Sequence, residues 1–186
     1  MTAALDRFHY FFDCCIGGWK TERTYHDMPR QTVERSHTTF TIRTLTPAFK
    51  DKVLHDNHYP SQPEINGLLG FHLGFETVSE FGDEVAQELN MLFLPQREVE
   101  GSLEGDYLRD RAYQEDRPIV AHFRFEPEGL RLLMTTTYTQ MVAVDSITLI
   151  NPRLRIRQIL TYQRPQSGQP LQEVILVGFG VEQKVT

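Results

Sequence analysis

The sequence predicts a mainly β protein, an up-and-down antiparallel β-barrel of about ten strands preceded by one N-terminal helix. Three observations carry that expectation. The hydrophobic period changes from three-and-four to two at Gly17-Gly18, period-two segments then recur to the end of the chain, and the links between them are mostly short, as in EPEG, INP and RPQSGQP. Short links join neighbouring strands antiparallel. A meander of this many strands has two raw edges unless it closes, and closure of roughly eight to ten strands encloses room for one ligand.

In chain order, Leu5, Phe8, Phe12 and Cys15 repeat at helical spacing, which predicts a helix over residues 3–15 with Thr2 as its cap and Gly17-Gly18 as its stop. From Trp19 the alternation puts Trp19, Thr21, Arg23 and Tyr25 on one face and Lys20, Glu22, Thr24 and His26 on the other. A threonine-rich strand is expected within 31–46, with Phe40 and Ile42 alternating against Thr39 and Thr41. Pro47 opens a short helix through Phe49 and Val53, and DNHYPSQPEING follows as an irregular loop. Further strands are expected over 67–78, 86–94, 106–115, 118–126, 129–138, 141–149, 153–163 and 171–183. The whole chain, 1–186, is expected to be one domain, with the helical segment in 1–17 and the barrel in 18–186.

Composition excludes several classes. With 40 % hydrophobic and 24 % charged residues and no apolar run near the ~20 residues of a membrane helix, no membrane association is expected. A net charge of −6 argues against a nucleic-acid partner, although a local arginine cluster suits a small anion. The N-terminus lacks a basic leader with a continuous apolar core, and Cys14 and Cys15 are adjacent on the helix, where a mutual disulfide is strained. Both point to a reducing cytoplasm and to packing roles for the thiols. The seven histidines show no metal-ligand spacing; His55 and His58 lie in the irregular loop without a third ligand nearby. Nucleophile elbow, phosphate loop and dinucleotide fingerprint are all missing.

What remains is a set of strand residues. In NPRLRIRQ, Arg153, Arg155 and Arg157 share one face and Leu154 and Ile156 the other, so one of these faces meets a core. In TTTY, Thr136 and Tyr138 oppose Thr135 and Thr137. The GGW entry to the first strand is similar to the Gly-x-Trp entry of lipocalin-like (calycin-like) barrels, where the tryptophan plugs the barrel floor beneath an arginine.

Three segments taken together, WKTERTYH (19–26), GDYLRDRAYQEDRPIVAHFRF (105–125) and VDSITLINPRLRIRQ (144–158), resemble the corresponding blocks of the S-type phycobiliprotein lyases, the CpcS/CpeS chromophore lyase family of cyanobacteria and some plastids. The resemblance runs in the same order over most of the chain and is strongest in the Leu-Arg-Ile-Arg strand. It implies a lipocalin-like barrel that binds a linear tetrapyrrole, phycocyanobilin or phycoerythrobilin. Such a protein promotes thioether attachment of the bilin to a cysteine of an apo-phycobiliprotein α or β subunit, in the cyanobacterial cytosol or plastid stroma. The bilin enters as a bound substrate, with no tightly bound cofactor and no metal. Arg155 and Arg157 are then expected to bind propionate, and Asp145 to bond the pyrrole nitrogens and stabilise the cationic chromophore. Arg23 adds a second propionate contact, Tyr138 lines the pocket, and His26 bonds a ring carbonyl or assists proton transfer. Catalytic roles thus fall on Asp145, Arg155 and His26, although alternation places His26 and Arg23 on opposite faces. The chain departs from the family pattern at Phe75, Thr137, Ser146 and Thr148, where many members carry other aromatic or charged residues. A pocket altered there fits an alternative role as a non-catalytic bilin carrier, or as one half of a heterodimer with a paralogous lyase subunit; a homodimer is a further expectation.

Overall fold

A computed structural model describes residues 3–60, 62, 64–110, 117 and 119–185. Helix α1 (Ala3–Cys15) precedes strands β1 (Gly17–Asp27) and β2 (Thr32–Thr44), helix α2 (Pro47–Asp56) and a single 3-10 turn at Ile65–Gly67. Strands β3 (Gly70–Ser79), β4 (Glu84–Val99), β5 (Ser102–Arg109), β6 (Ile119–Glu126), β7 (Arg131–Thr137), β8 (Met141–Asn151), β9 (Leu154–Gln163) and β10 (Val174–Lys184) follow. Every strand pairs antiparallel with its sequence neighbour, and β1 pairs with β10, so the sheet closes into a barrel. The expected architecture is therefore present. The proposed Thr2 cap and residues 111–115 of the strand expected at 106–115 lie outside the described residues. Among the described residues no helix is long and apolar enough to cross a membrane.

α1 plugs one end of the barrel. Its Phe8, Phe11 and Phe12 meet Phe71, Phe93, Phe123 and Phe125 from three strands, with ring centroids 4.2–6.1 Å apart among the ring pairs that link helix and wall or join Phe12 to its helical neighbours. This is the main core, and its contents are aromatic because a barrel of this girth needs wide side chains to fill its end. α2 lies outside the wall. Thr46 caps it by accepting the Phe49 N–H at 3.4 Å, Pro47 opens its first turn, and Val53 and Leu54 pack on Leu92, Leu94 and Leu108 of β4 and β5. That outer cluster is the reason β4 and β5 are apolar on both faces.

The two hairpin strands β4 and β5 differ from the sequence expectation, which stopped the fourth strand at residue 94. Pro95 does not end β4, because a bulge at Gln96 shifts the register between Pro95 and Arg97 and removes the need for a ladder donor there. The strand then runs on to a two-residue turn in which Glu100 and Gly101 both have positive φ, the geometry that matches hairpin twist. The bulge drives the β4 backbone toward Gly105: a Cβ on that residue would stand 2.0 Å from the Leu94 carbonyl oxygen. Gly105→Ala should therefore cost about 1–3 kcal/mol and lower the melting temperature by several degrees, whereas Gly67→Ala, which meets nothing within 4 Å, should melt like the parent. Thermal unfolding followed by circular dichroism checks both.

Candidate functional site: the charged lumen

Alternation fixes what enters the lumen. In β1 the inward residues are Trp19, Thr21, Arg23 and Tyr25, in β8 Asp145 and Ile147, in β9 Arg155 and Arg157, and in β10 Gly178, Gly180 and Glu182. Arg155 and Arg157 face inward, Leu154 and Ile156 face outward, and Arg153 stands exposed in the preceding turn.

The floor is an ion pair on an aromatic plate. Trp19, 1 % exposed, donates its indole N–H to the Cys15 carbonyl at 2.9 Å, which ties β1 to the end of α1. The Arg155 guanidinium lies 4.5 Å from the Trp19 ring centre and 5.2 Å from that of Phe40. Its Nε donates to Glu182 at 2.5 Å and its Nη1 to the Cys15 sulfur at 3.1 Å. Arg23 reaches the same carboxylate at 3.3 Å. Glu182 is fully buried; burial pushes its carboxyl toward the neutral form, but Arg155, Arg157 and Arg23 outweigh that and hold it below the usual carboxylate range. Burial pushes the Cys15 thiol up, against the opposing pull of Arg155, so it is a neutral packing group. Gly178 and Gly180 make this arrangement possible, since a Cβ on them would meet Tyr25 at 2.8 Å and Arg23 at 3.0 Å.

Above the floor, Arg157 grips Asp145 through two nitrogens, Nε donating to Oδ1 at 2.9 Å and Nη2 to Oδ2. Burial disfavours the Arg157 cation, yet the Asp145 charge more than offsets this and holds it firmly protonated. Further toward the end opposite the helix, Tyr138, Thr136 and Tyr107 surround Arg109, whose Nη2 lies 3.0, 3.0 and 3.3 Å from their hydroxyls. Burial pushes the Tyr138 phenol up. Among the described residues no cluster of three or more His, Cys, Asp or Glu converges on a metal-sized site.

The structure thus brings together Arg23, Tyr138, Asp145, Arg155 and Arg157, all inward-facing. His26 is not among them: it is exposed on the outer face of β1, where the alternation put it, and no bulge in β1 turns it inward. Arg155 is not a free donor either, since it is sealed beneath the lumen with its charge already matched by Glu182. Three of the four departures from the family pattern lie outside the pocket. Ser146 and Thr148 point outward from β8, Thr137 is exposed, and only Phe75, opposite Phe40 in the β2–β3 ladder, lies on the inner wall. Sequence reasoning missed Glu182 and Arg109. Both were visible as the odd members of an alternation, Gly-Phe-Gly-Val-Glu and Gly-Asp-Tyr-Leu-Arg, had the small and polar face been read as the inner one.

A family model for CpeS-like protein matches residues 7–185, the whole barrel and most of its plug. The chain belongs to the CpcS/CpeS chromophore lyase family. Within that family it is 70 % identical over 183 residues to chromophore lyase CpcS/CpeS 1 of Synechococcus sp. (strain JA-3-3Ab), covering 98 % of this chain and 99 % of the relative. It is 24 % identical over 152 residues to the phycocyanobilin lyase subunit CpcS of Picosynechococcus sp., covering 79 % and 74 % of the two chains. The S-type phycobiliprotein lyase CPES from Guillardia theta superposes with a TM-score of 0.74 over 100 % of this chain and 99 % of that one, at 15 % identity, which shows that the CpcS/CpeS barrel is shared.

Because the folded-state carboxyl of Glu182 is depressed, its contribution to stability is fully present above its ordinary value near 4.3 and is lost as pH falls through the folded value. Unfolding free energy should therefore decline with acidification below about pH 4.3, and Glu182→Gln should flatten that decline while costing about 3–5 kcal/mol at neutral pH. Arg155→Gln should destabilise by a similar amount, because it leaves Arg23, at 3.3 Å, as the remaining ion-pair partner of buried Glu182. Urea titrations across pH measure both.

Proposed function

We infer that this chain is a chromophore lyase: it holds a linear tetrapyrrole in the barrel and promotes its thioether attachment to a cysteine of an apo-phycobiliprotein α or β subunit. The observation that carries this reading is the Asp145–Arg157 pair, an ion pair standing in the lumen above an aromatic floor, in a member of a chromophore lyase family. The names of the relatives, which include a phycocyanobilin lyase subunit, point to phycocyanobilin as one substrate, with phycoerythrobilin the other candidate. The site of action is the cytosol of a cyanobacterium or the stroma of a plastid.

The reaction is an addition. The acceptor sulfur attacks the ethylidene carbon of the bilin, the displaced π electrons move into the conjugated system, and the thiol proton ends on the tetrapyrrole, so nothing leaves. A protonated pyrrole system accepts those electrons more readily. Asp145, already oriented by the two nitrogens of Arg157, turns its carboxylate to the pyrrole N–H groups and stabilises the cation, an electrostatic contribution that a preorganised acid makes at low reorganisation cost. Arg157 keeps Asp145 pointed inward, and it is the nearest donor for a propionate that displaces part of that pair. Arg23 stands one residue pair away on β1, opposite Gly180, which also pairs with Arg157. The barrel holds a flexible chromophore in one conformer and offers one face to the acceptor.

The alternative roles, a carrier without transfer activity or a half of a paralogous pair, drew on a changed pocket. With Thr137, Ser146 and Thr148 outside the lumen, that ground narrows to Phe75. The decisive assay mixes the protein with phycocyanobilin or phycoerythrobilin and apo-subunits and follows acid-stable covalent pigment. Transfer above the spontaneous rate supports a lyase, and red-shifted binding without transfer supports the carrier or half-pair. Asp145→Asn should retain binding within several-fold, blue-shift the bound bilin toward the neutral chromophore and slow transfer about 10²–10³-fold. An unaltered spectrum and rate would remove Asp145 from the mechanism.

A further inference from the structure

Below the rim, four guanidinium groups of the described residues face the lumen, those of Arg23, Arg109, Arg155 and Arg157, against two carboxylates, Asp145 and Glu182. Three of the arginines are ion-paired with those acids. Arg109 alone has no carboxylate among the described residues. Its Nη2 faces three hydroxyl oxygens, more acceptors than it has protons, its Nε is buried without a partner, and its Nη1 makes no hydrogen bond to any described residue. Holding a cation half-buried on these terms costs stability that neutral residues would not cost. The fold does not require it, since Tyr107 and Thr136 already bond each other across the β5–β7 gap.

The surroundings say what the spare donors are for. Tyr138 accepts from Arg109 at 3.0 Å, and its own O–H donates to no described residue; burial keeps that phenol protonated. Arg109 Nη1 and the Tyr138 O–H are thus two unspent donors held on one guanidinium–phenol contact. Two hard, adjacent donors with a net positive charge behind them fit the two oxygens of one carboxylate. Among the described residues these four guanidinium groups exceed the two carboxylates by two charges, which a dicarboxylate ligand would neutralise.

We propose that Arg109 and Tyr138 form a carboxylate subsite at the lumen end opposite the helix, and that it anchors one carboxylate side chain of a dianionic ligand. This rests on the tetrapyrrole reading above, in which the carboxylate is a propionate. It moves the primary anchor away from Arg155, whose charge is matched in the floor, to Arg109, which has no carboxylate partner among the described residues. Asp145 and Arg157 then act at the middle of the chromophore while Arg109 fixes one edge of it.

The test is a spectrophotometric titration of the parent, Arg109→Gln, Arg109→Lys and Tyr138→Phe with phycocyanobilin and, separately, with its dimethyl ester, after near-ultraviolet circular dichroism has checked folding. For the free acid, Arg109→Gln should weaken binding at least tenfold, Arg109→Lys should recover part of the loss, and Tyr138→Phe should weaken it about threefold. For the diester all four proteins should agree within about twofold. Equal losses for acid and ester would make Arg109 a packing residue, and acid binding unchanged in Arg109→Gln would overturn the subsite while leaving the lyase reading intact. A parent protein that binds neither ligand would overturn both.

Discussion

The interior of this barrel is organised by one carboxylate. Glu182 is fully buried on the final strand, and Arg155 and Arg23 converge on it from β9 and β1, the two strands that flank β10. A lone buried carboxylate is prohibitive, and so is a lone buried guanidinium, so each group is tolerable only when the sheet closes and brings the other. The stacking of Arg155 on Trp19 and its contact with Cys15 extend that dependence to the helix plug. Closure, plug and charged floor are therefore one cooperative arrangement.

On this floor the lumen separates two kinds of polarity. The Arg155–Glu182 pair is sealed and saturated, which makes it a structural device despite its resemblance to a ligand cradle. Asp145–Arg157 and Arg109–Tyr138 stand higher, and there polar groups keep capacity to exchange partners. In the proposed subsite the distinction between a spent and an unspent donor, more than the identity of the residue, selects the arginine offered to a ligand.

Much of this was legible beforehand. The change of period at Gly17-Gly18, the short connections and the edge-closure argument yielded the helix, the strand number and the barrel, because each depends on local pattern and simple geometry. Alternation correctly grouped Trp19 with Arg23, Thr136 with Tyr138, and Arg155 with Arg157. It did not say which face is inner. In β10 the apolar Phe179 and Val181, 45 % and 40 % exposed, face outward while Gly178, Gly180 and Glu182 face in, the reverse of the usual rule. The glycines are inside because Tyr25 and Arg23 occupy the space their side chains would fill, a constraint set by a strand more than a hundred and fifty residues away in the chain. The length of β4 was hidden for a different reason, since Pro95 reads as a terminator until the bulge beside it is seen.

The pairing of β1 with β10 has a consequence for biosynthesis. Trp19 and Lys184 are register partners, so the first strand made is joined by the last, and the seam cannot form until nearly all of the barrel sequence has emerged from the ribosome. Until then Arg23 and Arg155 lack their counter-ion and the outer strands offer two raw edges to other chains. The nascent protein must wait as an open, curling sheet with a slow, entropically expensive final step, which makes the interval between translation and seam formation its most aggregation-exposed moment.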